Sequence, residues 1–364
     1  MWSGIWFPEL VSLNRTGTVL MKTTLLAIAA LMLITPGCAR RGSRATYTQK
    51  TFVLSVPAVF RTYGEPDKTQ AKALADEIFA EWNRISDELS YSSPYSLTTV
   101  VNKKAVTEWV PVTDEFMRLL LLALDYHKLT GGAFDITFAP LWPLWKEAAS
   151  SRRLPHKDDI QKALEGIGSQ YIQVDVVKRQ VRLTKQVQVN MGGLLRGYCF
   201  ERAYKILKER KPAFPVQLRL GGNMLVYGQR DWQYRVPHPT DRMTILGRYM
   251  FKDGMVMSSA GRDIFVEIEG KLYSHILDLR TGYPVQDFSS LTVYFPGVEN
   301  SDFLSSAALS VLGRDKAFAL LGKMKGAAAV WVDGAGKAHY LTNPDSPAKW
   351  DEPKNDFLGG MLGN

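Results

Sequence analysis

From residue 70 the sequence QAKALADEIFAEWNRISDELS places Leu74, Ile78, Trp82, Ile85 and Leu89 at intervals of three and four, with charges between them. That spacing predicts an amphipathic helix with one buried stripe. A second helix is predicted over 114–129, DEFMRLLLLALDYHKL, where two leading acids suit the N-terminal end of the helix dipole. Further helices are expected at 201–210, following NMGGLLRGY, and near 302–312 and 315–324. Alternation replaces this period elsewhere. TFVLSVPAVFR at 51–61 reads as a strand, YIQVDVVKRQVRL at 171–183 as a hairpin, and AAVWVDGAGKAHYL at 328–341 as another. Strands are also expected at 216–220, 224–227, 263–269, 271–278 and 291–295, with loops at 91–102 and 258–263. Strands joined by short turns, with helices in separate runs, indicate an α+β fold of antiparallel sheets with flanking helices. No linker or repeat divides residues 51–342, so one large compact unit is expected there, followed by a polar, loosely ordered tail at 343–364.

Composition changes little in this picture, but charge narrows the partners. Of 364 residues 46% are hydrophobic, enough to bury a core without disulfides. The formal net charge of +9 suits anionic partners: phosphates, lipid headgroups or nucleic acid. Nucleic acid is the weakest of the three, because no zinc-finger, RNP-type or helix-turn-helix signature occurs.

The two cysteines, Cys38 and Cys199, differ in setting. Cys38 ends MKTTLLAIAALMLITPGC, in which one lysine and a short apolar run precede small residues. The run is too short to span a bilayer, which takes about 20 residues, and reads as a bacterial lipoprotein signal over 21–37. Cys38 is then the acylated first residue of the mature chain, residues 38–50 form a basic, polar tether, and Met21 is the expected start, leaving 1–20 outside the signal. The implied location is the bacterial cell envelope, membrane-anchored and facing the periplasm. A secreted protein with an incidental cysteine is the alternative.

Three stretches carry possible chemistry. In DFLSSAALSVLG at 302–313, Asp302 and Ser306 are four residues apart at the head of an expected helix, and their oxygens would suit Mg²⁺. The plainer reading makes Asp302 or Ser301 a helix cap and Ser306 an ordinary helix serine. Glycine pairs occur at 131-GGAFD, 192-GGLLRG and 221-GGN, where exposed N–H groups can meet phosphate oxygens. None fits a Rossmann or Walker pattern. Finally, 274-SHILDLRTGYP-284 sets His275 three residues before Asp278 where a strand runs into a turn. Alone, it reads as a strand end with one histidine.

Taken in order, GGAFD with its downstream Pro-Leu-x-x-Leu-Trp, GGLLRGY, GGN, SHILDLRTGYP and D-x-x-x-S resemble the ApbE family, the FAD:protein FMN transferases, over about residues 50–342. The resemblance implies Mg²⁺-dependent transfer of FMN from FAD, as substrate, to a Thr or Ser hydroxyl of a target protein, releasing AMP. The implied acceptor is a membrane redox subunit. By position, Ala133, Phe134 and Asp135 would line the FAD site, Arg196 and Ile276 would meet the nucleotide, and Asp302, Ser306 and the Cys199 carbonyl would hold the metal. His275 matches the family's histidine and is the candidate general base, with Asp278 to orient it or to serve the turn.

Departures from the family pattern stand at Asn190, where aspartate is usual, at 56-VPA-58 in place of Met-Gly-Thr, and at Leu279 in place of proline. The first two motivate one other reading, a non-catalytic flavin-binding lipoprotein; a further one is an FAD pyrophosphatase that uses the same metal with water as acceptor.

Overall fold

The computed structural model describes residues 44–238, 244–260, 265–298 and 305–352. Cys38 and Asp302 lie outside them, as do the expected start, signal and most of the tether. The alternating segments assemble into an antiparallel sheet of eight strands among the described residues. Its order is Tyr47–Val53, Val56–Thr62, Val216–Leu220, Asn223–Tyr227, Gly254–Ala260, Ser290–Phe295, Ala328–Val332 and Ala338–Thr342. Side chains of a strand alternate between faces, so each face of this sheet needs its own cover. Helices Lys68–Leu89, Asp114–Leu129 and Gly192–Arg210 cover one face, burying Phe60, Leu218, Leu291 and Val293 of the sheet with Ile78, Trp82, Leu119 and Phe200 of the helices. Trp82 is fully buried against Phe79 and Phe200, and its indole N–H donates to the Cys199 carbonyl at 2.6 Å. On the other face a three-stranded sheet, Trp232–Pro237, Ile245–Phe251 and Lys349–Asp351, packs Trp232, Tyr234 and Tyr249 onto Met224, Val256 and Val330.

Helices Lys68–Leu89 and Asp114–Leu129 match their spacing closely, and both carry side-chain N-caps, Asp67 and Thr113. The α+β architecture is as expected. Several boundaries differ. The strand expected at 51–61 is a hairpin, because Leu54 and Ser55 both turn through positive φ, 51° and 61°. Paired residues of positive φ make the tight turn that suits a twisted hairpin, a geometry these two residue types do not announce. The loop expected at 91–102 contains the helix Leu97–Lys104, capped by Ser96, and the loop at 258–263 begins as the end of the strand Gly254–Ala260. GGLLRGY belongs to the helix, which runs Gly192–Arg210. Of the helix expected near 302–312, the described part is Ser306–Leu312, preceded by Ser305 in an extended conformation (φ −61°, ψ 125°).

The strand expected over 271–278 divides into Lys271–Ser274 and Leu277–Asp278, leaving His275 and Ile276 between the two pieces. A separate cluster holds this region. Leu277 and Tyr273 pack with Leu141 and Trp145 of the helix Leu141–Ser151 and with Ile160 of Lys157–Glu165. Trp145 donates to the Gly282 carbonyl at 2.8 Å. Gly282 is at φ +76°, and an added Cβ would lie 2.5 Å from Ile160 Cγ2, so the turn can seat only with glycine there.

Candidate functional site

The cleft forms where several chain reversals meet at one end of the main sheet. The 54–56 hairpin tip, the Gly221–Asn223 turn, the N-terminal ends of Gly192–Arg210 and Ser306–Leu312, and the break at His275 all border a cavity of about 650 Å³. That size suits a small-molecule or cofactor site. The structure brings Ala133, Phe134, Asp135, Arg196, His275, Ile276 and Ser306 together around it.

Each of these residues is held differently. Phe134 lies against the helix start, where a Cβ on Gly193 would come within 3.1 Å of its ring, so the glycine allows ring and backbone to touch. Gly192 donates its N–H to Asn190 Oδ1 at 2.9 Å, so the uncharged amide at this departure from the family pattern caps the turn. Glycine N–H groups at a helix start suit phosphate oxygens. Arg196 follows one turn later and is half-buried, with one guanidinium nitrogen near the Gly221 backbone. Burial pushes its pKa down, and no ion pair among the described residues includes it. A desolvated cation of this kind gains most from an anionic ligand.

Asp135 borders the cleft, yet its carboxylate is committed to the protein. It accepts from the Thr137 N–H and hydroxyl at 2.8 and 2.7 Å and from the Ser169 N–H and hydroxyl at 2.8 Å each, and lies 3.0 Å from His127 Nδ1. Burial pushes its pKa up, but the hydrogen bonds from His127 and Thr137 outweigh this and hold it below the usual carboxylate range. The same contact raises the pKa of His127. Asp135 thus organises the 130–137 loop that presents Ala133 and Phe134.

The metal-binding expectation fares unevenly. Ser306 is buried with its hydroxyl 2.7 Å from that of Ser259, giving a pair of hard oxygens at the cleft. Cys199 is not brought there. It sits within the helix at 0% exposure, burial pushes its thiol up, and its carbonyl is occupied by Trp82. Among the described residues no group of three or more His, Cys, Asp or Glu gathers to hold a metal. The described oxygens therefore fit part of a Mg²⁺ shell, with Asp302 outside the described residues.

Asp278 is engaged within its own turn. Both its oxygens are engaged by Arg280, at 2.9 Å from Nε and 2.7 Å from Nη2, while its backbone carbonyl accepts from the N–H groups of Thr281 and Gly282. Burial raises and the Arg280 contacts more strongly lower its pKa. This carboxylate builds the turn, the second of the two roles expected for it. Arg280 also donates to the Val311 carbonyl, tying the turn to the helix that begins at Ser306. The cleft adds two residues that the sequence reading passed over: Trp142 and Lys146, one helical turn apart, with the ammonium 5.9 Å from the indole ring. Their signal was an aromatic and a cation four residues apart in LWPLWKE.

A family model, described as the ApbE family, matches residues 48–331. The chain belongs to the ApbE family. Its similarity to the FAD:protein FMN transferase of Haemophilus influenzae is 26% identity over 301 residues, covering 79% of this chain and 86% of that protein. With the FAD:protein FMN transferase of Treponema pallidum it is 24% over 329 residues, covering 84% and 90%. Among solved structures, the ApbE protein of Thermotoga maritima matches with a TM-score of 0.72 at 25% identity, over 82% of this chain and 97% of that one. The flavinyl transferase ApbE of Pseudomonas stutzeri, at 21% identity and a TM-score of 0.66, shares the fold. The ApbE assignment spans the whole cleft, from the 54–56 hairpin tip to Ser306.

Proposed function

We propose that this ApbE-family chain transfers FMN from FAD to a Thr or Ser hydroxyl of an acceptor protein and releases AMP. The observation that carries the reading is Arg196: a half-buried cation without an ionic partner among the described residues, one turn from the Gly193 backbone, in a cleft of cofactor size. A pyrophosphate matches it in charge. The acceptor oxygen bonds to the FMN-side phosphorus as the bond from that phosphorus to the bridging oxygen breaks, and AMP leaves with that oxygen. His275, at the break between two strand pieces on the cleft wall, takes the hydroxyl proton. Arg196 orients the phosphates, and Phe134 and Ile276 supply apolar wall. Ser306 and Asp302 would hold Mg²⁺, which when bound lowers the negative charge of the pyrophosphate.

Acylation at Cys38 would fix the protein to the envelope membrane, facing the periplasm, within reach of membrane redox subunits as acceptors. Intact-mass analysis of the membrane-extracted protein tests this part: an acylated chain beginning at Cys38 is expected, and an unmodified Cys38 would remove it.

The central test mixes purified protein, FAD, Mg²⁺ and a candidate acceptor domain. A covalent FMN increment on the acceptor with equimolar AMP is expected. FMN and AMP without the adduct would instead make the chain a pyrophosphatase, and FAD binding without turnover a flavin-binding lipoprotein.

A further inference from the structure

The outer face of the strand Val216–Leu220 carries a cation that the cleft does not use. Leu218 and Leu220 are fully buried in the core, so alternation places Arg219 on the opposite face. Its Nε–H is buried and has no hydrogen-bond partner among the described residues. Its guanidinium lies 5.7 Å from the centre of the Tyr234 ring, and Tyr234 is fixed by donating to the Gly222 carbonyl at 2.7 Å.

The neighbours add to the positive charge. In the register of the paired strands Val59 faces Arg219 and Arg61 faces Gln217, so Arg61 and Arg219 are diagonal neighbours on one face. Such positions lie roughly 7–8 Å apart, a gap that one tetrahedral anion can bridge. Arg61 donates to Gln217 Oε1 at 3.2 Å, and the Tyr63 hydroxyl shares that oxygen at 3.4 Å. Burial lowers the Arg219 pKa, and the Arg61 charge lowers it further. Neither arginine belongs to any ion pair among the described residues.

We infer that Arg219 and Arg61 bind a phosphate group on the outer face of the strands Val56–Thr62 and Val216–Leu220, between the walls of Tyr63 and Tyr234. Guanidinium forks match phosphate oxygens in geometry. A phosphate monoester carries close to two negative charges near neutral pH, enough to balance both arginines where one carboxylate is not. The site is separate from the catalytic cleft, since neither arginine borders that cavity, and it does not depend on the transferase reading. The phosphate has two possible sources, free inorganic phosphate or the headgroup of an anionic phospholipid.

The test follows the arginine Nε–H resonances of the ¹⁵N-labelled full chain during titration with inorganic phosphate, with ionic strength held constant by chloride. The Arg219 signal, assigned by its loss in R219K, is expected to shift saturably. R61Q should weaken binding about 10-fold or more, and R219Q should abolish it while FAD affinity stays within about twofold. Circular dichroism melting checks both variants; should R219Q fail to fold, R61Q carries the comparison. A shift that does not saturate, or an affinity unchanged in the folded variants, overturns the site. Vesicles of phosphatidylcholine with and without phosphatidic acid then separate the sources. Phosphatidic-acid-dependent binding lost in R61Q assigns a lipid headgroup, and equal vesicle binding by both proteins assigns the free ion.

Discussion

Replacing Asp135 separates a wall that holds the ligand from a wall that touches it. The buried carboxylate receives two backbone N–H groups, Thr137 and Ser169, two hydroxyls from the same residues, and His127 Nδ1. Asp135→Ala leaves both backbone donors without their acceptor and His127 without its counter-charge. Each orphaned buried donor costs about 1–3 kcal/mol, and breaking a buried ion pair costs about 3–5 kcal/mol. The two figures describe overlapping losses, so a total of about 3–5 kcal/mol is expected. Asp135→Asn keeps the shape and one acceptor oxygen, and about half that loss is expected. Urea unfolding followed by tryptophan fluorescence measures the stability, and equilibrium dialysis measures FAD affinity in each folded variant. If the carboxylate builds the loop, the Asn variant loses stability while its affinity for FAD changes less than tenfold. A stability loss under about 1 kcal/mol together with a hundredfold loss of affinity would refute the reasoning and make Asp135 a direct ligand.

Other expectations rest on different contacts. His275→Ala should lower flavin transfer by about 10²–10⁴ with FAD binding retained; transfer within threefold of wild type would exclude it as the base. The His127–Asp135 pair predicts an asymmetric pH profile of thermal stability. His127 has a raised folded pKa, so its contribution is complete below its ordinary value of 6.5 and is lost as pH rises through the raised one. Asp135 has a lowered folded pKa, so its contribution is present above 3.8 and is lost as pH falls through the lowered one. The melting temperature attributable to this pair should therefore peak between those two values, and H127Q should flatten the alkaline limb; an unchanged limb would break the assignment. Gly282→Ala should destabilise by about 1–3 kcal/mol, because the added Cβ meets both positive φ and Ile160, and proteolysis at the 279–283 turn should accelerate with it.

What the sequence disclosed depended on how local each cause was. The helices Lys68–Leu89 and Asp114–Leu129 announce themselves because one periodic stripe and one cap decide them. The strands Trp232–Pro237 and Ile245–Phe251 went unread, although the first alternates cleanly, with Trp232, Tyr234 and Val236 buried. Their inward residues pack on Met224 and Val256 of the main sheet, a partnership set by tertiary contact. Similarly, positive φ at Leu54 and Ser55 has no glycine or asparagine to advertise it.

The site shows the same division more sharply in His275 and Asp278. Both lie in one eleven-residue stretch, and a continuous strand would put residues three apart on opposite faces. The break at His275–Ile276 removes that constraint, so spacing alone decided nothing about their relation. What decides it is Arg280, whose guanidinium engages both Asp278 oxygens and whose second contact, to Val311, holds the turn against the Ser306 helix. Asp278→Asn should then weaken a turn rather than detune a base. The observable difference is the pH–rate profile of transfer. An orienting carboxylate raises the apparent pKa of its histidine, and because a general base works deprotonated, its removal moves the acidic limb to lower pH. A turn-building one leaves that limb in place and lowers activity only as far as the turn loosens. A shifted limb in Asp278→Asn, with unfolding midpoint unchanged, would instead make Asp278 the residue that orients His275.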